Sequence, residues 1–205
     1  MGGLKKSILF LNGEKSDFPK SLDQYDSIFA ADGAINSLLK RQVAPDFLIG
    51  DFDSKAEGDL PITTKLIFTP NQYYTDFHKS MRVIIEKGVE DLSIYWSTGD
   101  SHDHFLGNLC TAYRFKDEIR MTFYDKKGCF FFSKKSQNFK CKKGDVVSFF
   151  PFYHAKSVYA TGLEHKVENL NFNIHSSIGT RNIAIQDEVC LAYQEGDLLV
   201  FIQEN

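Results

Sequence analysis

The sequence predicts an α/β domain with a mostly parallel sheet, followed by a smaller antiparallel β-sandwich or β-barrel. In the first 125 residues, short apolar runs that end in turn residues alternate with helical patterns, which is typical of a parallel sheet with helices on both faces. After residue 125 the helical periodicity disappears, and short β-rich runs are separated by glycine-containing turns. The composition, 42% hydrophobic and 25% charged, is that of an ordinary globular chain. We therefore predict two domains, at residues 1–125 and 126–205.

The elements of the first domain are predicted from local patterns. Apolar runs indicate buried strands at residues 7–11, 27–31, 47–49, 65–68, 92–96 and 120–124. A helical pattern covers residues 34–40. Thr75 is a typical N-cap for a second helix, which we expect to end at Gly88. A third helix follows the fifth strand, and its predicted apolar side carries Leu106, Leu109, Cys110 and Tyr113.

The second domain reads as strands joined by tight turns. The predicted strands are residues 129–133, 145–150, 156–160, 188–193 and 198–202. Seven lysines lie between residues 126 and 143. We interpret them as solvated faces of hairpins, with a phosphate-binding patch as the alternative.

Charge and motif content exclude several classes of protein. The net charge of -3 and the pI near 6.1 argue against a general nucleic-acid-binding surface. No apolar run is long enough to span a bilayer or to form a signal-peptide core, so we expect a cytoplasmic protein. The four cysteines form no C-x-x-C pair, and we expect reduced, partly buried thiols. The sequence has no G-x-x-x-x-G-K-[ST], G-x-G-x-x-G or G-x-S-x-G motif.

Five acidic residues follow the predicted strands of the first domain. They are Asp32, Asp51, Asp53, Asp76 and Asp103. Because ligands of open α/β sheets bind beyond the carboxyl ends of the strands, we expect these carboxylates to meet at one edge. Their mutual repulsion calls for a cation, and carboxylate oxygens suit Mg²⁺ together with substrate phosphates.

The spacing of Asp51 and Asp53 supports this interpretation. In an extended segment both side chains point the same way, with Phe52 turned into the core. An isolated D-x-D is more often a polar turn that caps backbone groups. The acidic residues at equivalent strand ends favour the metal site here.

Residues around Asp76 indicate phosphate binding. Gln72, Thr75 and Lys79 flank it, and Lys79 lies one helical turn after Thr75, within reach of an anion at the helix N-terminus. The loop before the third helix offers hydroxyl groups and the histidines His102 and His104. Neither histidine has a partner at zinc spacing, so we do not expect a zinc site.

At these motifs the sequence resembles the thiamine pyrophosphokinase family. The matching stretches are A-D-G-A-I-N at 31–36, P-D-F-L-I-G-D-F-D-S at 45–54, N-Q-Y-Y-T-D-F-H-K at 71–79, residues 98–108, and S-S-I-G-T-R-N at 176–182. The resemblance implies an enzyme that transfers diphosphate from ATP to thiamine and releases AMP. It also implies a homodimer with active sites between subunits, with ATP and Mg²⁺ on the first domain and thiamine meeting the second.

The resemblance assigns roles to individual residues. Those implied to hold the metal are Asp32, Asp51, Asp53 and Asp76, and the last three are the expected catalytic carboxylates. The implied ATP contacts are Asp32, Gln72, Thr75, Lys79, Asp103 and His104. The implied thiamine contacts are Gln72, Ser177 and Asn182.

The chain also departs from the family pattern. Asp100 and Ser101 stand where the family usually has glycine and arginine, Asn71 replaces an aspartate, and Arg181 replaces a small polar residue. Loss of a bidentate arginine–phosphate contact costs about 1.5–3 kcal/mol. Two alternatives therefore remain open: a pyrophosphokinase of this fold for another alcohol, such as a pterin, or a thiamine- or nucleotide-binding protein without turnover.

Overall fold

A computed structural model describes residues 4–15, 17–52, 60–99 and 101–205. It divides the chain into two compact units, Met1–Lys126 and Lys127–Asn205. Among the residues described, no helix is both long and apolar enough to cross a membrane.

The first unit is built on a parallel sheet. Its strands are β1 (Lys6–Phe10), β2 (Ser27–Ala31), β3 (Phe47–Gly50), β4 (Lys65–Phe68), β5 (Asp91–Tyr95) and β6 (Arg120–Asp125). They lie in the order β4-β3-β2-β1-β5-β6, and every neighbouring pair is parallel. The predicted parallel sheet is confirmed, and all the strand ends that precede the acidic residues lie at one edge.

Helices connect several of these strands. They are α1 (Ile35–Lys40), preceded by a 3-10 turn at Asp32–Ala34, then α2 (Asp76–Glu86) and α3 (His102–Phe115). As predicted, Thr75 caps α2, since its side-chain oxygen accepts a hydrogen bond of 3.2 Å from the backbone N–H of His78. Gly88 follows the helix with φ +72°, a conformation that few other residues adopt.

The helices cover both faces of this sheet. Alternate residues of a strand point to opposite faces. Phe10 packs in one cluster with Leu38 of α1. Leu9 points the other way and shares its face, through the strand register, with Phe123 of β6. The ring of Phe77 from α2 meets Phe123 edge to face at 6.0 Å.

The predicted apolar side of α3 is wrong in part. The buried residues of this helix are Leu109, Thr111, Ala112 and Phe115, whereas Leu106, Cys110 and Tyr113 are exposed. Helix α3 packs against α2, where the ring of Phe115 meets that of His78 at 5.1 Å. Ala112, which is also buried, has only a small side chain. A small residue contributes little to an apolar pattern, so the sequence did not reveal this face.

The second unit is antiparallel throughout its described pairings. Its strands are β7 (Gly128–Phe132), β8 (Ser136–Lys140), β9 (Val146–Thr161), β10 (Val167–Asn173), β11 (Gly179–Ile183), β12 (Glu188–Ala192) and β13 (Glu195–Gln203). Strand β9 pairs with β10, β11, β12 and β13, while β7 pairs with β13 and β8 with β12. The antiparallel character is as predicted, and Phe149, Val158 and Val200 lie in its buried core.

Strand β9 corrects one detail of the prediction. The two runs predicted at 145–150 and 156–160 belong to one strand of 16 residues. Tyr153 and Ser157 have positive φ angles of 79° and 53°, so the strand is locally irregular at these two residues. Strands β8, β10 and β11 were not predicted, because their polar residues weaken the strand signal.

Candidate functional site

Two carboxylates follow the ends of the neighbouring strands β2 and β3. Asp32 directly follows β2 and is buried, and Asp51 directly follows β3. Between them lies Gly50, whose backbone packs against the Asp32 side chain so closely that an added Cβ would collide with the Asp32 Cβ. The absence of a side chain at Gly50 therefore lets the buried carboxylate lie next to the strand end that carries Asp51.

Asp51 is oriented by an amide side chain. Gln72, in the loop after β4, donates a hydrogen bond of 2.6 Å from Nε2 to Asp51 Oδ2. The following residue, Phe52, has φ +57°. The predicted extended D-x-D segment is therefore wrong at Phe52, because the chain turns there. Asp53 and Asp100 lie outside the described residues.

Asp76 and Lys79 form an ion pair in the first turn of α2. The Lys79 ammonium lies 2.7 Å from Asp76 Oδ1 and 3.3 Å from the carbonyl oxygen of Thr69. The Lys79 side chain is only 6% exposed. Because the backbone N–H of Thr69 bonds to the carbonyl of Gly50 at 2.8 Å, Lys79 connects α2 to the same sheet edge.

The chemistry of these donors fits Mg²⁺. In the described ranges, the side chains of His, Cys, Asp and Glu form no group of three or more that could hold a metal. Asp32 and Asp51 nevertheless provide hard oxygen atoms at neighbouring positions, and Mg²⁺ commonly binds one or two carboxylates plus substrate phosphates. The residues present therefore fit a magnesium ion, and substrate and water would have to complete its coordination.

The loop before α3 is organised around its own helix. The Ser101 hydroxyl donates to the carboxylate of Asp103, which also accepts a 2.9 Å bond from the backbone N–H of His104. These two hydrogen bonds lower the pKa of Asp103. The predicted ATP contacts Asp103 and His104 are both exposed, and the Asp103 carboxylate bonds within this turn.

The strand order reveals residues that sequence reasoning missed. The order reverses between β1 and β5, and such a switch point is where α/β sheets open a crevice for ligands. There the N–H of Gly13 bonds to the carbonyl of Trp96 at 2.7 Å. The Ser97 hydroxyl is buried and makes no hydrogen bond to the described residues. The sequence indicates only a turn at Asn12 and Gly13, because the order of the strands in the sheet cannot be inferred from the sequence pattern.

The predicted thiamine residues of the second unit differ in their surroundings. Ser177 is exposed in the turn between β10 and β11. The Asn182 side chain is buried, and its amide donates to the carbonyl of His165 at 2.7 Å and accepts from the N–H of His165 at 2.9 Å. Arg181 is exposed with φ +61°, and its backbone N–H bonds to Ser148 Oγ at 2.9 Å.

An open cleft lies on β9 and β10 of this unit. Its volume is about 290 Å³, and it is lined by His154, Lys156, Asn171, Phe172 and Asn173. Asn173 also begins the turn that carries Ser177, since its N–H bonds to the carbonyl of Ser177 at 2.8 Å.

We expect acid to destabilise the fold through His78. This side chain is buried, stacks on Tyr74 at 4.2 Å, and its Nε2 has no hydrogen-bond partner among the described residues. Burial lowers the pKa of His78 below its ordinary 6.5, and the charges of Arg114 and Arg82 lower it further. The unfolded chain then binds the proton more tightly, so stability present above pH 6.5 is lost as pH falls toward the lower folded-state pKa.

The measurement is the melting temperature between about pH 7.5 and about pH 5.5. The fall in Tm should be smaller in His78→Gln than in the natural chain. His102→Gln, which changes an exposed histidine, should behave like the natural chain. An equal fall in Tm for His78→Gln and the natural chain contradicts the prediction.

Comparisons with known proteins agree with this geometry. The sequence profile described as "Thiamin pyrophosphokinase, catalytic domain" matches residues 18–123. Thiamin pyrophosphokinase 1 of Caenorhabditis elegans is 31% identical over 97 residues, which cover 43% of this chain and 40% of that protein. Thiamine pyrophosphokinase of Bacillus subtilis is 24% identical over 193 residues, or 87% of each chain.

Solved structures show the same fold. The crystal structure of a thiamin pyrophosphokinase family protein from Enterococcus faecalis superposes with a TM-score of 0.87 at 19% identity. The superposition covers 98% of this chain and 99% of the other. Since the profile spans more than half of the 205 residues and includes Asp32, Asp51 and Asp76, this chain belongs to the thiamin pyrophosphokinase family.

Proposed function

We propose that the chain is a thiamine pyrophosphokinase, which transfers a diphosphate group from ATP to the hydroxyethyl oxygen of thiamine and releases AMP. Membership in the family supports the activity and both substrates. The structural observation that carries the site is the packing of Asp32 on Gly50, beside Asp51, at the carboxyl edge of the parallel sheet.

In this reaction one bond forms and one bond breaks at the β-phosphorus. The thiamine hydroxyl oxygen attacks that atom, and the bridging oxygen leaves with AMP. The hydroxyl proton passes to an acceptor, for which Asp76 and a phosphate oxygen are the two candidates. Positioning and charge stabilisation provide most of the catalysis in such phosphoryl chemistry.

The acidic residues would hold magnesium beside the phosphates. Asp32, Asp51 and Asp76 belong to this proposed set, together with Asp53. Magnesium, when bound, supplies positive charge that stabilises the phosphate oxygens in the transition state. Gln72 would keep the Asp51 carboxylate in one orientation through its 2.6 Å hydrogen bond.

The first turn of α2 would bind phosphate. Lys79 is nearly buried and neutralises Asp76 across 2.7 Å, so this turn carries no excess negative charge against ATP. Thr75 accepts the capping bond from His78 and still has its hydroxyl proton to donate to an anion. We propose Asp103 and His104 as outer contacts, at the N-terminus of α3.

The second unit would receive thiamine. Ser177 is exposed in the turn that begins at Asn173, a residue that lines the cleft, which suits a direct contact with the substrate. Asn182 instead uses both ends of its amide on the backbone of His165. We therefore propose that Asn182 acts by fixing the loop around His165.

This difference predicts opposite results for two alanine variants. Asn182→Ala removes three hydrogen bonds of a buried amide, two to His165 and one from the N–H of Ile183, so we expect a loss of about 1–3 kcal/mol in the free energy of unfolding. Ser177→Ala should leave stability unchanged and raise the KM for thiamine. Denaturant unfolding and steady-state kinetics measure the two effects. Unchanged stability in Asn182→Ala, or an unchanged thiamine KM in Ser177→Ala, refutes the corresponding assignment.

We also propose that two copies associate through the second unit. Phe149 is in its core, whereas several apolar side chains of this unit remain exposed. They are Phe150, Tyr153, Tyr159, Leu170, Ile174 and Ile178. Burying such side chains against a second copy is favourable, and two-fold dimers are the commonest assembly. Light scattering at micromolar concentration should give twice the chain mass of 23.4 kDa, and a purely monomeric result contradicts the dimer.

The deciding experiment is release of AMP by the purified protein with ATP, Mg²⁺ and thiamine. Production of AMP and thiamine diphosphate in equal amounts supports the proposal. AMP release with a pterin alcohol but not with thiamine shows a different acceptor. Thiamine binding without AMP release shows a binding protein that lacks turnover.

A further inference from the structure

The residue that follows Asp51 has an unusual backbone conformation. Phe52 has φ +57°, in the left-handed region that is unfavourable for a bulky side chain. Such a conformation persists only where surrounding contacts hold it, and it is concentrated at functional sites. The contacts of Phe52 are therefore part of what fixes the chain beside Asp51.

One of these contacts is a ring on the neighbouring strand. Phe68 is the last residue of β4, and its ring stacks on that of Phe52 with centroids 6.1 Å apart and planes inclined by 29°. Phe52 also packs against the core cluster that contains Phe10. An aromatic pair at this distance stabilises by an amount of the same order as the cost of a left-handed residue. Removing one ring would therefore leave the cost of the left-handed conformation at Phe52 without the stabilisation from the aromatic pair.

Phe68 gains little from burial in this position. Its side chain is 63% exposed on an edge strand, so core packing does not account for a large aromatic residue there. The register pairs Phe68 with Gly50, the residue before Asp51. Asp51 thus lies between two residues, Gly50 and Phe52, that both contact the end of β4.

We infer that Phe68 is a positioning residue for Asp51, because its ring holds the left-handed turn at Phe52 that sets the direction of the Asp51 carboxylate. The inference rests on the proposed role of Asp51 as a magnesium ligand. It assigns to the exposed end of β4 a part in metal binding, although Phe68 itself has no group that binds a metal. The hydrogen bond from Gln72 also holds this carboxylate.

The test measures the affinity of the protein for Mn²⁺ in the absence of ATP. The concentration of free Mn²⁺ is monitored by electron paramagnetic resonance. Phe68→Ala should weaken binding by about threefold to tenfold, and Phe68→Tyr, which keeps the ring, should bind like the natural chain. Leu66→Ala is the matched control, since Leu66 lies two residues earlier on the same strand and is 54% exposed. It should leave Mn²⁺ affinity and activity unchanged. Phe52→Gly permits the left-handed backbone but removes the ring, and it should weaken Mn²⁺ binding as Phe68→Ala does.

The outcomes separate this inference from the proposed function. If Phe68→Ala binds Mn²⁺ normally while Asp51→Asn does not, the positioning role is overturned and the metal role of Asp51 stands. If Asp51→Asn binds Mn²⁺ normally, the proposed role of Asp51 fails. Equal weakening by Leu66→Ala and Phe68→Ala shows a general effect of the edge strand and also overturns the inference. In kinetics, Phe68→Ala should lower kcat severalfold and leave the KM for thiamine unchanged.

Discussion

Asp51→Asn should lower kcat by more than about tenfold, because a lost metal ligand costs more than the 1.36 kcal/mol that corresponds to that factor. The amide keeps the size of the side chain and an oxygen that accepts the bond from Gln72 Nε2. The substitution therefore removes the negative charge of residue 51 and leaves the packing of the side chain unchanged. With one fewer negative charge beside Asp32, the melting temperature of the metal-free protein should stay constant or rise.

The control for this variant is an aspartate at the amino-terminal end of a strand of the same sheet. Asp91 begins β5 and pairs with Arg120 at 3.8 Å. Asp91→Asn also removes one negative charge, but far from the carboxyl ends of the strands, and it should keep full activity. Activity assays with ATP and thiamine, together with thermal unfolding, compare the two variants. More than a tenth of the natural activity in Asp51→Asn argues against metal ligation by Asp51.

Lys79→Met should raise the KM for ATP by between about tenfold and about a hundredfold. A hydrogen bond between a charged donor and phosphate contributes about 1.5–3 kcal/mol, and the variant also frees Asp76 to repel the nucleotide. The Asp76 side chain is 51% exposed, so water solvates it when its partner is lost. The free energy of unfolding should therefore fall by only about 1 kcal/mol, which makes the effect on ATP larger than the effect on stability.

Lys87→Met provides the comparison at the opposite end of α2. Its ammonium lies 4.1 Å from the centre of the Phe47 ring, and Lys87 follows the last turn of the helix. This variant should leave the KM for ATP unchanged. An ATP KM in Lys79→Met within twofold of that in Lys87→Met contradicts a phosphate-binding role for Lys79.

Local features of the fold were predictable because their causes are local. The Thr75 cap and the Gly88 end of α2 depend on side chains and backbone conformations within one helical turn. The positions of Asp32 and Asp51 at neighbouring strand ends were predictable for a similar reason. Each follows a strand of a parallel sheet, and the carboxyl ends of such strands share one edge.

Features that depend on distant partners were not predictable. Which side of α3 is buried depends on its packing against α2, where Phe115 meets His78. The hydrogen bonds of the Asn182 side chain depend on the backbone of His165, 17 residues away in the sequence. Neither partner leaves a periodic or local signal.

The sequence by itself determined the family, the parallel sheet and the location of the carboxylates at the carboxyl ends of its strands. Strand ends and family motifs can be recognised from short stretches of consecutive residues. Only the tertiary structure decided what fixes each of those carboxylates: the bare backbone of Gly50 for Asp32, the amide of Gln72 for Asp51 and the buried ammonium of Lys79 for Asp76. It also placed Phe52 in a left-handed turn against Phe68. These contacts join residues of different elements, so they form only when packing brings those elements together.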